Sequence, residues 1–201
     1  MSWIHSNTIL NGEFVKLFPL ETKHFDELVE LAMEQRIWEF IPNKMDTKEK
    51  CISQFKQALI DKENGSQFPF VIYHLKEQKL IGSTRLMNIE ARHKKLEIGW
   101  TWLHPNYWAS VINLECKLLL MTFCFEELKA FRVQLKTDET NMRSRKAIQK
   151  IGGKYEGILR NDMIKEDGNL RNSAYFSIVL NEWEQTKHNL LQLISQKKYA
   201  K

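Results

Sequence analysis

Lys95-Leu96-Glu97-Ile98-Gly99-Trp100-Thr101-Trp102-Leu103 alternates strictly, with Leu96, Ile98, Trp100 and Trp102 on one side and Glu97, Gly99 and Thr101 on the other. A period of two predicts a half-buried strand. Gly99 has no side chain to pack, which points to a bulge or a close backbone approach in mid-strand. Beyond this strand, 113–128 reads as the most apolar helix of the chain, nearly continuous from Leu118 to Cys124. Such a helix has to be central and covered by a sheet. Residues 131–137 alternate again as a strand, and 141–151 read as a short helix stopped by Gly152-Gly153. A strand that leads through a short loop into a helix aims free N–H groups and the positive dipole end at the junction, which suits a pyrophosphate.

The flanks complete the pattern. Residues 13–18 suggest a first strand ended by Pro19, and Thr22 is a candidate cap for a helix carrying Phe25, Leu28, Val29 and Ala32. Asp46 or Thr47 caps a second helix with a predicted buried face of Cys51, Ile52, Phe55, Ala58 and Leu59, ended by Asn64-Gly65. Residues 70–75 and 80–87 form an antiparallel hairpin around Lys76-Glu77-Gln78-Lys79. Strands at 154–159 and 171–180 flank a polar loop with Asp167-Gly168. Trp183, Leu190, Leu191 and Ile194 mark a final helix at about 181–197. No repeat or linker divides the chain, so 1–201 reads as one domain with a core at about 10–185. The element order implies an α/β (α+β) fold, a mixed sheet with helices on both faces.

Composition narrows the function classes. The chain has 201 residues, 43% hydrophobic and 27% charged, which is a globular balance. A net charge of +5 steers an anionic ligand but is too small and too dispersed for a nucleic-acid stripe. The one dense cluster, Arg143, Arg145 and Lys146, is read either as a solvated helix face or as a phosphate contact. Cys51, Cys116 and Cys124 fit neither a disulfide framework nor a zinc pattern, and the six histidines form no metal-spaced pair, so no metal is expected. The first residues, Met1 to His5, carry no secretory pattern, and the longest apolar run is too short for a bilayer; a cytoplasmic protein is expected.

Residues 96–103, then Pro105, Tyr107-Trp108, Asn113, Glu115 and Lys117, resemble the core of the GNAT superfamily of N-acetyltransferases. The branch is the one that acetylates ribosomal-protein N-termini. Further matches follow in order through Phe125 to Leu128, Arg132-Val133, Lys136-Thr137-Asp138, Asn141, Arg143-Ser144, Ala147-Ile148, Gly152, Glu156-Gly157, Leu159-Arg160-Asn161 and Ser177-Ile178. The resemblance implies a mostly antiparallel sheet in which the parallel strands at 95–103 and 131–137 splay apart. The pantetheine arm of acetyl-CoA would lie in that V, along Trp102 and Leu103. The pyrophosphate would rest on Trp108, Ala109, Ser110, Val111, Ile112 and Asn113. Asn141 and Ser144 would open the next helix beside the arm, with Arg145 reaching the phosphate side. The family loop is glycine-rich, and this one is not. A left-handed conformation at Ala109 or Val111 costs roughly 1–2 kcal/mol, more for a β-branched residue. That is on the order of a 5- to 30-fold loss of affinity, so restoring glycine at both positions is expected to tighten binding.

Direct transfer from a thioester to an amine needs a neutral amine, a polarised carbonyl and a proton for the leaving thiolate. Glu97 is the candidate base, directly or through water; the competing reading is a solvated carboxylate or the partner of a Lys or Arg. Ser144 fits the family position beside the sulfur, against a local first-turn hydrogen bond. Tyr175 is a second candidate acid, against a buried structural tyrosine. Trp38, Phe40, Trp100 and Trp102 are candidate walls of an acceptor pocket, against ordinary core positions. The expected partners are acetyl-CoA and an amine acceptor, a peptide N-terminus or a small amine. A member of the same fold that binds acyl-CoA or a protein without catalysis is the alternative.

Overall fold

A computed structural model describes residues 3–199; Met1, Ser2, Ala200 and Lys201, which the sequence reading includes in its one domain, lie outside the described residues. The strands are β1 (Leu10–Asn11), β2 (Val15–Pro19), β3 (Phe68–His74), β4 (Lys79–Glu90), β5 (Lys95–Leu103), β6 (Arg132–Asp138), β7 (Lys154–Ile164) and β8 (Leu170–Val179). The helices are α1 (Phe25–Ala32) and α2 (Lys48–Glu63), between β2 and β3; α3 (Val111–Thr122), between β5 and β6; α4 (Met142–Lys150), between β6 and β7; and α5 (Trp183–Tyr199). All eight strands form one sheet in the order β1-β2-β3-β4-β5-β6-β8-β7, and β5-β6 is its parallel pair. The other neighbours are antiparallel.

Alternation along the strands divides the core in two. Phe70 and Ile72 of β3 join Val15, Leu17, Leu96, Ile98 and the buried residues of α3 and α5 on one face. Val71, between them, joins α1 and α2 on the other, with Phe25, Leu28, Phe55 and Trp38. The mixed sheet with helices on both faces is therefore as expected. Local expectations needed correcting. Glu21, not Thr22, is the cap before a single 3-10 turn that leads into α1. Thr47 caps α2, accepting from the Lys50 N–H. Ile52 and Leu191 are exposed, because each stands one residue off the stripe that meets the sheet. The two-residue β1 has too few residues to show a period, and β7 runs on to Ile164 through the polar Arg160-Asn161-Asp162, held by pairing with β8 rather than by burial.

α3 is the central helix, but two of its buried positions are charged. Glu115 accepts the backbone N–H groups of Glu13, Phe14 and Val15 at 2.7, 2.8 and 2.8 Å, tying the start of β2 to α3. A Cβ on Gly12 would meet the Glu115 carboxyl at 2.6 Å, so only glycine lets the chain close over it. Glu115→Gln, which keeps one acceptor oxygen for three donors, is expected to cost about 2 kcal/mol of stability in denaturant unfolding.

Candidate active site

The ladder between β5 and β6 is short. It runs through Lys95–Arg132 and Leu96–Val133 and ends at Glu97–Gln134. Beyond that pair β5 stays with β4 and β6 stays with β8, so the two strands part and leave facing backbone edges. The parting has a local cause. Arg85 pairs with Gly99 and Ser83 with Trp102, so Thr84 alone faces Trp100 and Thr101. This is a β-bulge, with Trp100 in the left-handed region at φ +48°. Holding a tryptophan there costs on the order of 1 kcal/mol. The Arg85 guanidinium, 4.5 Å from the Trp100 ring centre, offsets part of that cost.

The bulge overturns the strict alternation expected of β5. Leu96 and Ile98 pack with α3 and α5, Thr101 faces α3, and Trp102 packs with α1 and α2. Trp102 therefore comes round to the side of Glu97 instead of opposing it. The positive φ falls on Trp100, not on the glycine before it.

A cavity of about 350 Å³ occupies the gap. Of the expected residues it brings together Glu97, Trp102, Leu103, Trp108, Ala109, Asn113, Asn141 and Ser144. Ser110, Val111, Ile112 and Arg145 are not on its wall. Ser110 is the N-cap of α3, accepting from the Ile112 N–H at 3.2 Å and donating to the Tyr107 carbonyl at 2.6 Å. Val111 and Ile112 form the first turn of α3, which starts two residues earlier than expected, and Ile112 is buried. The strain predicted for this loop therefore falls on Ala109 alone, at φ +56°; Val111 is helical. Ala109→Gly is expected to raise stability by about 1 kcal/mol, whereas Val111→Gly loosens the helix and lowers it by about the same. Denaturant midpoints of the two variants separate the cases. Arg145 turns away to the Glu139 carbonyl, 3.0 Å, and the Tyr155 ring. Its neighbour Arg143 takes the wall instead, 4.2 Å over the Trp108 ring.

Glu97 stands at the vertex of the V, in the last paired position, and is 2% exposed. Its Oε2 accepts from the Asn88 and Gln134 amides at 2.9 and 3.0 Å, and among the described residues no Lys or Arg lies within ion-pair distance. Ser144 opens α4, where its backbone N–H, not its hydroxyl, bonds the capping Asn141 at 2.9 Å. Lys117, matched in sequence without a role, is 7% exposed and lines the cavity one helical turn beyond Asn113. Its Nζ donates to Thr101 Oγ1 at 2.8 Å, and burial pushes the amine down to about 8.

Residues 15–154 match the family model described as an acetyltransferase (GNAT) domain. The chain belongs to the GNAT acetyltransferases. It is 30% identical over 185 residues to the Bacillus subtilis (strain 168) protein named "Putative ribosomal N-acetyltransferase YdaF", covering 88% of this chain and 97% of that one. The crystal structure of an acetyltransferase from T. thermophilus superposes with a TM-score of 0.84 at 28% identity, covering 95% of this chain and 98% of that one. Mycobacterium smegmatis RimJ in complex with CoA-disulfide shares the fold, with a TM-score of 0.75 at 18% identity over 89% and 88%.

In this GNAT acetyltransferase the two ends of the cavity differ. Phe40, Trp100 and Trp102 line the end near Glu97, with Ile41 and Met163. Trp38 does not; it is fully core, its indole donating to the Ala32 carbonyl at 2.7 Å. Tyr175 also lies off the cavity. It donates to Asp162 at 3.0 Å, and burial together with that carboxylate pushes its phenol up to about 12. A group so placed has no path to a thiolate in the gap. Among the described residues no cluster of His, Cys, Asp or Glu could hold a metal, and no helix is long and apolar enough to cross a membrane.

Proposed function

We propose that the chain transfers the acetyl group of acetyl-CoA to a primary amine by direct attack in a ternary complex. The acceptor is a peptide N-terminus or a small amine of similar basicity, and the reaction takes place in the cytosol. The observation that carries this reading is the parting of β5 and β6 at Glu97–Gln134. The exposed strand edges suit the amides of a pantetheine arm, and the capped start of α3 suits a pyrophosphate. When bound, acetyl-CoA supplies an activated thioester. Glu97 takes the proton of the incoming amine, Ser144 faces the arm from α4, and Arg143 stands where a phosphate would pass.

The lone carboxylate sets the acceptor class. At pH 7, deprotonating an α-amine costs about 1 kcal/mol and a lysine about 5. One glutamate held by two neutral amides suits the first. The non-catalytic alternative rested on Ala109 and Val111, and Val111 no longer supports it because its backbone is helical. Calorimetry with acetyl-CoA, followed by thiol release with a panel of N-terminal peptides, small amines and ε-amines, tests the proposal. Binding plus turnover of α-amines supports it. Binding with no turnover on any amine leaves the non-catalytic member, and no binding removes both.

A further inference from the structure

The cleft has an amine on its floor that the proposed reaction does not use. Asn113 and Lys117 sit one turn apart on α3 and both line the cavity, beneath the gap between β5 and β6. An ammonium has three donors. One goes to Thr101 Oγ1, which shares a 2.7 Å hydrogen bond with Thr84 Oγ1 deeper in the sheet. Among the described residues no carboxylate lies within ion-pair distance of Lys117. Glu115, its neighbour on α3, is committed to the backbone of β2. A buried cation with spare donors and no counter-charge is costly unless something else completes it. The thioester end of the cleft is at Glu97, four residues back along β5, and the helix N-terminus is at the other end. Lys117 therefore stands between them, where neither the acyl group nor the phosphates but the linking chain of the ligand would lie.

We propose that Lys117 is a binding residue for that linking chain, donating hydrogen bonds from the cleft floor to an amide carbonyl of the pantetheine arm. The claim rests on the acetyl-CoA reading above. It goes beyond it by giving the arm a side-chain donor in addition to the strand edges. Thr101 and Thr84 orient the amine, and the ligand oxygen takes a donor that the folded chain leaves unsatisfied.

Two ligands separate the arm from the phosphates: CoA, and adenosine 3′,5′-bisphosphate, which lacks the arm. Calorimetry on the wild type, Lys117→Met and Lys117→Gln reads the effect. Lys117→Met is expected to weaken CoA by about 10- to 100-fold, the range of a hydrogen bond from a charged donor. It is expected to leave the bisphosphate within about twofold, and Lys117→Gln, which restores a neutral donor, to recover part of the loss. Unchanged CoA affinity in Lys117→Met overturns the proposal, as does an equal loss for both ligands. A wild-type chain that binds the bisphosphate and CoA equally overturns the arm-in-cleft reading itself, a failure visible before any variant is made.

Discussion

Glu97→Gln is expected to lower kcat by on the order of 10²- to 10⁴-fold, with the affinity for acetyl-CoA changed less than about threefold. Glutamine preserves the shape and still offers an oxygen to Asn88 and Gln134, so the vertex of the V stays closed. What it removes is the acceptor for the amine's proton. A solvated or structural carboxylate predicts a different outcome: little change in kcat, or loss of fold and binding together. At 2% exposure, with neutral amide donors as its partners, Glu97 is neither solvated nor half of an ion pair. The loss is expected to shrink for acceptors of lower pKa, because less work is then asked of the base. Steady-state rates across amines of graded basicity, set beside calorimetry of the same variant, check both statements. A kcat within about threefold of wild type for every amine would remove Glu97 from the chemistry.

How far the sequence reaches follows from what each element depends on. Period-two alternation in β3, β4 and β6, the N-cap at Thr47 and the glycine stop after α4 are local signals, and all are where the residues put them. Ordered matches to a family then supplied the splayed pair, which no local signal could, since parting is a property of two strands far apart in the chain. The errors are also physical. The alternation of β5 looked unbroken because a bulge adds a residue without altering the pattern of types. The one-residue shift carried Trp102 to the Glu97 side. Arg143 and Arg145 are alike as letters, and only the packing of α4 against Trp108 selects the first for the cavity. Lys117 was hidden by its surroundings. A lysine in an apolar helix reads as an exposed position until the fold shows that side of the helix facing the cleft.

That same residue gives the last expectation its sign. Lys117→Met is expected to stabilise the chain at neutral pH by about 3 kcal/mol, raising Tm by roughly 5–10 °C. The amine falls from its usual 10.5 to about 8 because burial penalises its charge, at about 1.4 kcal/mol per pH unit. Below pH 8 the lysine is protonated in both folded and unfolded chains, and the folded chain bears the whole penalty. Between about 8 and 10.5 the unfolded chain holds the extra proton, so wild-type stability gains with rising pH and the advantage of methionine shrinks. Above 10.5 both are neutral and the advantage from charge is gone. Unfolding midpoints of wild type and variant from about pH 7 to 10.5 trace this convergence. An advantage that is absent at neutral pH, or that stays constant with pH, would show that the amine is not desolvated in the folded chain. A chain that pays this much to keep a charge under its cleft, when an apolar residue would be steadier, breaks a packing rule where such breaks mark function. The opposed signs, firmer fold and weaker hold on CoA from one substitution, are what a ligand-completed lysine requires and what a mere packing defect would not produce.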